Sequence, residues 1–384
     1  MRLLAPSEHR ELSAMLRALL AVECSTSMVR TYNAGAILPV GLWKALAGAG
    51  VLGLAVAEED GGSGGTLSDV GVFALEAGRA LCPLAVHGTV LAGLAITTLG
   101  GADMRAAWLP ALCAGELRAA TALWNPRDAA DTAPVLTACA DTGGWRLVGT
   151  VDFVSESAAA EVIVVSARAD DRTLMAVVDL AAPGVHRDRL SLMGGHRACR
   201  VRFDDVAVAD AESVIDVSDG RGTENLRRVA NTSVALQSMD LVGIGEAVIE
   251  RTVEYTRSRE QFGRPIAAFQ AAQHLVADMD IAVSAARLAA HAAVFWLNRG
   301  QTATRQTAVA RIHAATAATK ITLDAHQLHG GMGYVTETDL HLWSERARVL
   351  STLGGGPDTA ARWLEGELDL AAGAPGTLTE GNAR

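Results

Sequence analysis

Apolar positions recur at helical spacing from Ser7 to about Leu117, most clearly from Leu12 through Val22 and from Leu42 through Leu46. That period predicts helices with one buried face. Glycines punctuate the segment at Gly48, Gly50 and Gly53, and again at Gly61-Gly62-Ser63-Gly64-Gly65. From about Ala119 the period shortens. Val135–Ala140, Trp145–Val148, Val162–Ala167, Leu174–Val178 and Arg200–Phe203 read as strands, with turns at Asp141-Thr142-Gly143-Gly144, Asp170-Asp171 and Pro183-Gly184 between them. Strands at this spacing predict a small barrel or sandwich. After Gly220-Arg221-Gly222 the helical period returns and continues to about Leu370, and a Gly/Pro-containing tail from Ala371 is expected to be disordered. The expected organisation is an α+β chain: a helical domain at 1–118, a middle β-domain at 119–219, a helical bundle at 220–370 and a flexible tail at 371–384.

Composition narrows the function classes. A chain of 384 residues, half of them hydrophobic, can bury a large core, and its net charge of -10 argues against nucleic acid as a partner. Arg221, Arg227 and Arg228 are the nearest thing to a basic cluster, and Glu224 interrupts them; they read as a solvated helix start. Five widely spaced cysteines, without a CxxC or Cys/His grouping, point to free thiols in a reducing compartment and to no metal site. The N-terminal run carries Glu8, His9, Arg10 and Glu11, so it lacks a secretory apolar core. Leu81–Leu99 is the apolar stretch to weigh as a membrane span, and Pro83, His87 and its glycines make a buried helix the better reading. A cytoplasmic protein without a membrane partner is expected. The Gly61–Gly65 stretch lacks the Gly-Lys-Ser/Thr that grips a phosphate, so it is expected to be a loop between helices.

Two late segments carry the chemistry. The first is Arg257-Ser258-Arg259-Glu260-Gln261-Phe262-Gly263-Arg264-Pro265-Ile266, followed by Phe269, Gln270 and His274; the second is Gln327-Leu328-His329-Gly330-Gly331-Met332-Gly333-Tyr334, followed by Thr336 and Glu337. Together they resemble the C-terminal signature of the acyl-CoA dehydrogenase flavoprotein family. Gly50–Leu54 with Glu58–Gly62 and the run Val201–Val206 are similar to further passages of that family. The resemblance implies a helical N-terminal domain, a middle β-domain, a four-helix bundle and bound FAD. In that family a glutamate removes the α-proton of an acyl thioester while the β-hydrogen leaves as hydride to the flavin. The flavin cradle is shared between two chains.

The half of that cradle offered to a neighbour is kept in this sequence. Arg259 stands at the family's cross-subunit pyrophosphate position, Phe262 at the adenosine position, Gln270 and Gln327 at amide contacts, and Gly330-Gly331 where backbone approaches the cofactor. The half that serves the chain itself is altered. Counting twenty-seven residues from Gln327 to the family's base position reaches Gly354, and the alternative base position on an earlier helix, ten residues before Gly243, is Ser233. Gly356 and Asp358 replace a Thr and a Gln of the family pattern, Trp124 and Ala130 replace two hydroxyl residues, and Ser155 is the hydroxyl left near the flavin N5 position. Asp358 and Glu337 are nearby carboxylates, more simply read as helix-terminal or surface charges.

This asymmetry implies a subunit similar to the non-catalytic partner of heteromeric actinobacterial acyl-CoA dehydrogenases, as in steroid or fatty acid catabolism. It would sit in a heterotetramer with a paralogous catalytic subunit and lend it contacts to FAD. The alternatives are a homo-oligomeric flavoenzyme with altered chemistry on a CoA- or carrier-bound acyl group, and a structural partner without enzymatic role.

Overall fold

The computed structural model describes residues 6–368; the tail expected from Ala371 lies outside them. Helices α1 (Ser7–Glu23), α2 (Thr26–Asn33), α3 (Val40–Gly48), α4 (Leu67–Ala80), α5 (Leu84–Leu99) and α6 (Ala102–Cys113) come first. The glycine-rich stretch is a loop between α3 and α4, and α4 starts on a capping box in which the Asp69 carboxylate accepts the Thr66 backbone N–H at 2.8 Å. Strands β1 (Ala119–Ala122), β2 (Leu136–Asp141), β3 (Gly144–Ser155), β4 (Val162–Ala169), β5 (Arg172–Asp179), β6 (Val185–Leu190) and β7 (Ala198–Ala209), the short helix α7 (Asp210–Ser213) and strand β8 (Val214–Asp216) follow. Barrel or sandwich resolves into one mixed sheet ordered β6-β7-β3-β2-β4-β5-β8, with β1 pairing parallel to β4. Strands β4 and β5 are apolar almost throughout because both faces are covered. Val162, Val164, Met175 and Val177 pack towards α5 and α6, whereas Ile163, Val165, Ala176 and Val178 face a second core with Leu147, Val201 and Phe203.

The C-terminal part is built on α8 (Gly220–Ser258), a two-residue-strand hairpin β9 (Glu260–Gln261) and β10 (Arg264–Pro265), and helices α9 (Gln270–Asn298), α10 (Thr304–His329), α11 (Leu340–Leu350) and α12 (Pro357–Glu367). Helix α8 joins this bundle to the N-terminal helices by close backbone approach to α4. A Cβ on Gly243 would stand 1.9 Å from the Leu75 carbonyl oxygen, and one on Gly78 would stand 2.1 Å from that of Asp240. The stretch Leu81–Leu99 forms the buried helix α5. Among unbroken helices of the described residues, α9 instead has the length and apolar content to cross a membrane, and it packs along α8 and α10.

Candidate functional site

A cavity of about 100 Å³ opens where α4, α5, α8, the β-domain and the α11–α12 loop meet. The fold gathers Ser233, Gly354, Ser155 and Trp124 at its lining, together with Phe153 and Gln237. Phe153 sits at a break in the β3–β7 register with a φ of 57°, a conformation that costs a non-glycine residue energy and is kept where surroundings impose it. Its ring stacks on His196 at 5.7 Å. Both base positions therefore lie on one cavity, and neither carries a carboxylate. Asp358 and Glu337 are exposed and outside the lining; Asp152 and Asp240 are its carboxylates.

The Gly354 segment is clasped by the altered loop of the β-domain. Gly354 N–H donates to the Pro126 carbonyl at 2.7 Å and Ala129 N–H donates to the Gly354 carbonyl at 2.9 Å. From α12, the Trp363 Nε1–H donates to Asp128 Oδ1 at 2.8 Å, while Arg227 donates to the Ala129 carbonyl at 3.3 Å and lies over the Trp363 ring. Ala129, Val234, Ala308, Ala360 and Trp363 form a closed apolar cluster behind the loop. Arg227 is thus half-buried and engaged rather than part of a solvated helix start, and Arg228 donates to the Gly300 carbonyl. Gly354 has a φ of 74°, and a Cβ there would meet Val234 at 3.4 Å and Ala129 at 3.7 Å.

Beneath this loop lies Arg311, wholly buried on α10. Its guanidinium donates to the carbonyls of Leu350 at 2.6 Å and Leu353 at 2.7 Å, and to Gln237 Oε1. With Oε1 so engaged, Gln237 Nε2 donates to Ser233 Oγ at 3.2 Å. Burial lowers the Arg311 pKa to about 10, which leaves it charged at neutral pH. Of the positions that the family resemblance sets against a flavin ring, Ser155 brings a hydroxyl to this lining, whereas Trp124 brings an indole and Gly354 no side chain.

The opposite end of the bundle is open. Tyr255 near the end of α8 stacks on His329 at 4.2 Å, which brings the Arg259 segment beside Gly330-Gly331 at the end of α10. Arg259, Gln270, Gln327, Gly330 and Gly331 are all exposed, and Phe262 is 93% exposed on a turn where its φ is 53°. Among the described residues the Arg259 guanidinium has no hydrogen-bond or ion-pair partner. A free fork of N–H donors at a glycine-flanked surface fits a phosphate-bearing ligand. From Val234, beside Gly354, to Arg259 runs about 37 Å of helix at 1.5 Å per residue, so the two ends cannot serve one site within a single chain.

Sequence reading placed these residues but not what encloses them. Trp363, Asp128 and Arg311 were not singled out. A lone arginine in the alanine-rich run Ala308–Ala318 is the signal that marks Arg311.

The C-terminal domain of acyl-CoA dehydrogenases matches residues 220–363 and the N-terminal domain of the same family matches residues 6–116. The chain is 30% identical over 368 residues to acyl-CoA dehydrogenase IpdE2 of Mycobacterium tuberculosis, covering 94% of this chain and 98% of that protein. It is similar to a variant of the Tcur3481-Tcur3483 steroid ACAD, with a TM-score of 0.84, 28% identity and coverage of 95% of this chain and 98% of that one. The ChsE4-ChsE5 complex from Mycobacterium tuberculosis shares the fold, with a TM-score of 0.86, 24% identity and coverage of 98% and 100%.

Proposed function

This chain belongs to the acyl-CoA dehydrogenase flavoprotein family, and we propose that within it the chain is a donor subunit of a cytoplasmic heteromeric dehydrogenase. In this reading a paralogous subunit supplies the base and the ring pocket, and the pair oxidises an acyl thioester. The observation that carries it is the contrast between the two ends: Arg259 and Phe262 are exposed, whereas Gly354 is clasped by Pro126 and Ala129. The likeness to the Tcur3481-Tcur3483 steroid ACAD supports a paralogous pair and a steroid-derived substrate.

The flavin of such an enzyme, when bound, accepts the hydride that leaves the β-carbon. This chain's part is to bind and orient. Arg259 would neutralise a pyrophosphate oxygen across the interface, and Phe262 would shield the adenosine from water. Gln270 and Gln327 would supply amide hydrogen bonds, and the bare backbone at Gly330-Gly331 would allow close approach.

The test is the visible spectrum of the chain purified alone and after co-expression with a paralogous dehydrogenase subunit. A colourless single chain and a yellow complex with about one flavin per pair are expected. Stoichiometric flavin in the single chain overturns the reading.

A further inference from the structure

One wall of the cavity is polar, and two of its polar atoms lack hydrogen-bond partners. His87 of α5 and Asp240 of α8 both line it, with His87 Nε2 3.3 Å from Asp240 Oδ2. The same carboxylate oxygen accepts from Arg346 Nη2 at 3.1 Å, and Arg346 also donates to the Cys82 carbonyl at 3.0 Å. Asp240 is fully buried, yet its Oδ1 has no hydrogen-bond partner, and His87 Nε2 has none of good geometry. A buried carboxylate oxygen without a donor is a standing cost that a suitable ligand relieves. The lining also holds the apolar Val70, Phe73, Leu84, Val90, Leu236 and Leu350, and the Ser155, Ser233, Gln237 and Asp152 already described. Neither His87 nor Asp240 takes part in the surface around Arg259.

The chemistry of this wall selects among acyl substituents. Asp240 and Arg346 cancel in charge, and burial keeps His87 neutral, with a pKa lowered to about 4. Facing a carboxylate, the imidazole is favoured in the tautomer with its proton on Nε2. An alkyl end would leave both polar atoms unpaired. A ketone would accept from His87 but leave Asp240 Oδ1 bare, and a carboxylate would be repelled by Asp240. A hydroxyl satisfies both atoms, because it donates and accepts at once.

We propose that this cavity receives an acyl group bearing a hydroxyl, which donates to Asp240 Oδ1 and accepts from His87 Nε2. The inference rests on the donor-subunit reading only in that no turnover is expected from this chain alone.

Calorimetric titration of the full chain tests it, using ω-hydroxyacyl-CoA thioesters of short and medium length, each beside its unsubstituted counterpart. At the length that reaches His87, the hydroxylated member is expected to bind about tenfold tighter or more. His87→Leu should reduce the preference by weakening the hydroxylated ligand alone, leaving what the Asp240 Oδ1 bond contributes, and His87→Gln, which keeps a donor and an acceptor, should retain more of it. Equal affinity within every pair for the folded wild-type chain overturns the proposal, as does a preference undiminished in His87→Leu. If His87→Leu does not fold, the wild-type pairs and His87→Gln decide the matter. Flavin content of the co-expressed complex is read separately, so loss of flavin donation with a preserved hydroxyl preference sinks the donor reading alone, and the converse sinks this proposal alone.

Discussion

The Gly354 end and the Arg259 end of one helical bundle are built on opposite plans. At Gly354 the backbone amide and carbonyl are both spent on the loop carrying Pro126 and Ala129, and an indole seals the gap. At Arg259 the guanidinium has no hydrogen-bond or ion-pair partner among the described residues, and Phe262, on a positive-φ turn, meets the Phe269 ring edge-on yet stays exposed. An exposed phenylalanine and an unpaired guanidinium contribute little to this chain's own stability. The closed end teaches the reverse, since its contacts are made within this chain and stabilise it.

The sharpest way to break the comparison is to open the closed end. Trp363→Ala removes a buried ring from the Ala129–Val234–Ala360 cluster and the hydrogen bond to Asp128, and should cost about 3–5 kcal/mol. Thermal melting of the variant measures this, and an unchanged melting temperature would show that the loop is not held by α12.

Acid should weaken the same region. Burial lowers the pKa of both His87 and His196 to about 4, below the unfolded value near 6.5. The unfolded chain therefore binds more protons between these values, so stability is full above pH ~6.5 and is lost as pH falls towards ~4. The loss is on the order of 3 kcal/mol for each histidine at most. Denaturant melts at pH 7 and pH 5 should show it, with a shallower dependence for His87→Leu.

The open end is sharpened by Arg259→Ala. In a co-expressed complex it should lower flavin affinity by roughly 2–3 kcal/mol, about a hundredfold. Melting of the isolated chain should move by less than about 0.5 kcal/mol. Retention of flavin through dialysis is the readout, and an unaltered off-rate would remove Arg259 from the interface.

The smallest effect is expected from restoring the missing carboxylate. Gly354→Glu places a side chain at a φ of 74° against Val234, at a cost of about 1–2 kcal/mol. It should bring no dehydrogenation to the chain alone, because Trp124 and Ala130 still supply no hydroxyl and the loop stays clasped. Turnover in an artificial-acceptor assay would show instead that the pocket lacked only its base.

Periodicity alone gave access to most of the architecture. Continuous runs such as Val162–Ala167 announced strands, and the segments carrying Arg259 and Gln327, picked out by their family resemblance, lie exposed at the open end. Measured against the family pattern, Gly354 and Ser233 fall at the two base positions, since an absent side chain is visible in a sequence. What encloses an absent side chain is not. The clasp joins Pro126 and Ala129 to Gly354, more than two hundred positions away, and the His87–Asp240–Arg346 group draws on three separate helices. Helical and strand periods report which face of one element is buried, because that depends on neighbours three, four or two residues away. Which buried polar atoms meet, and which are left without partners, depends on how those elements pack, and only the tertiary structure decided it.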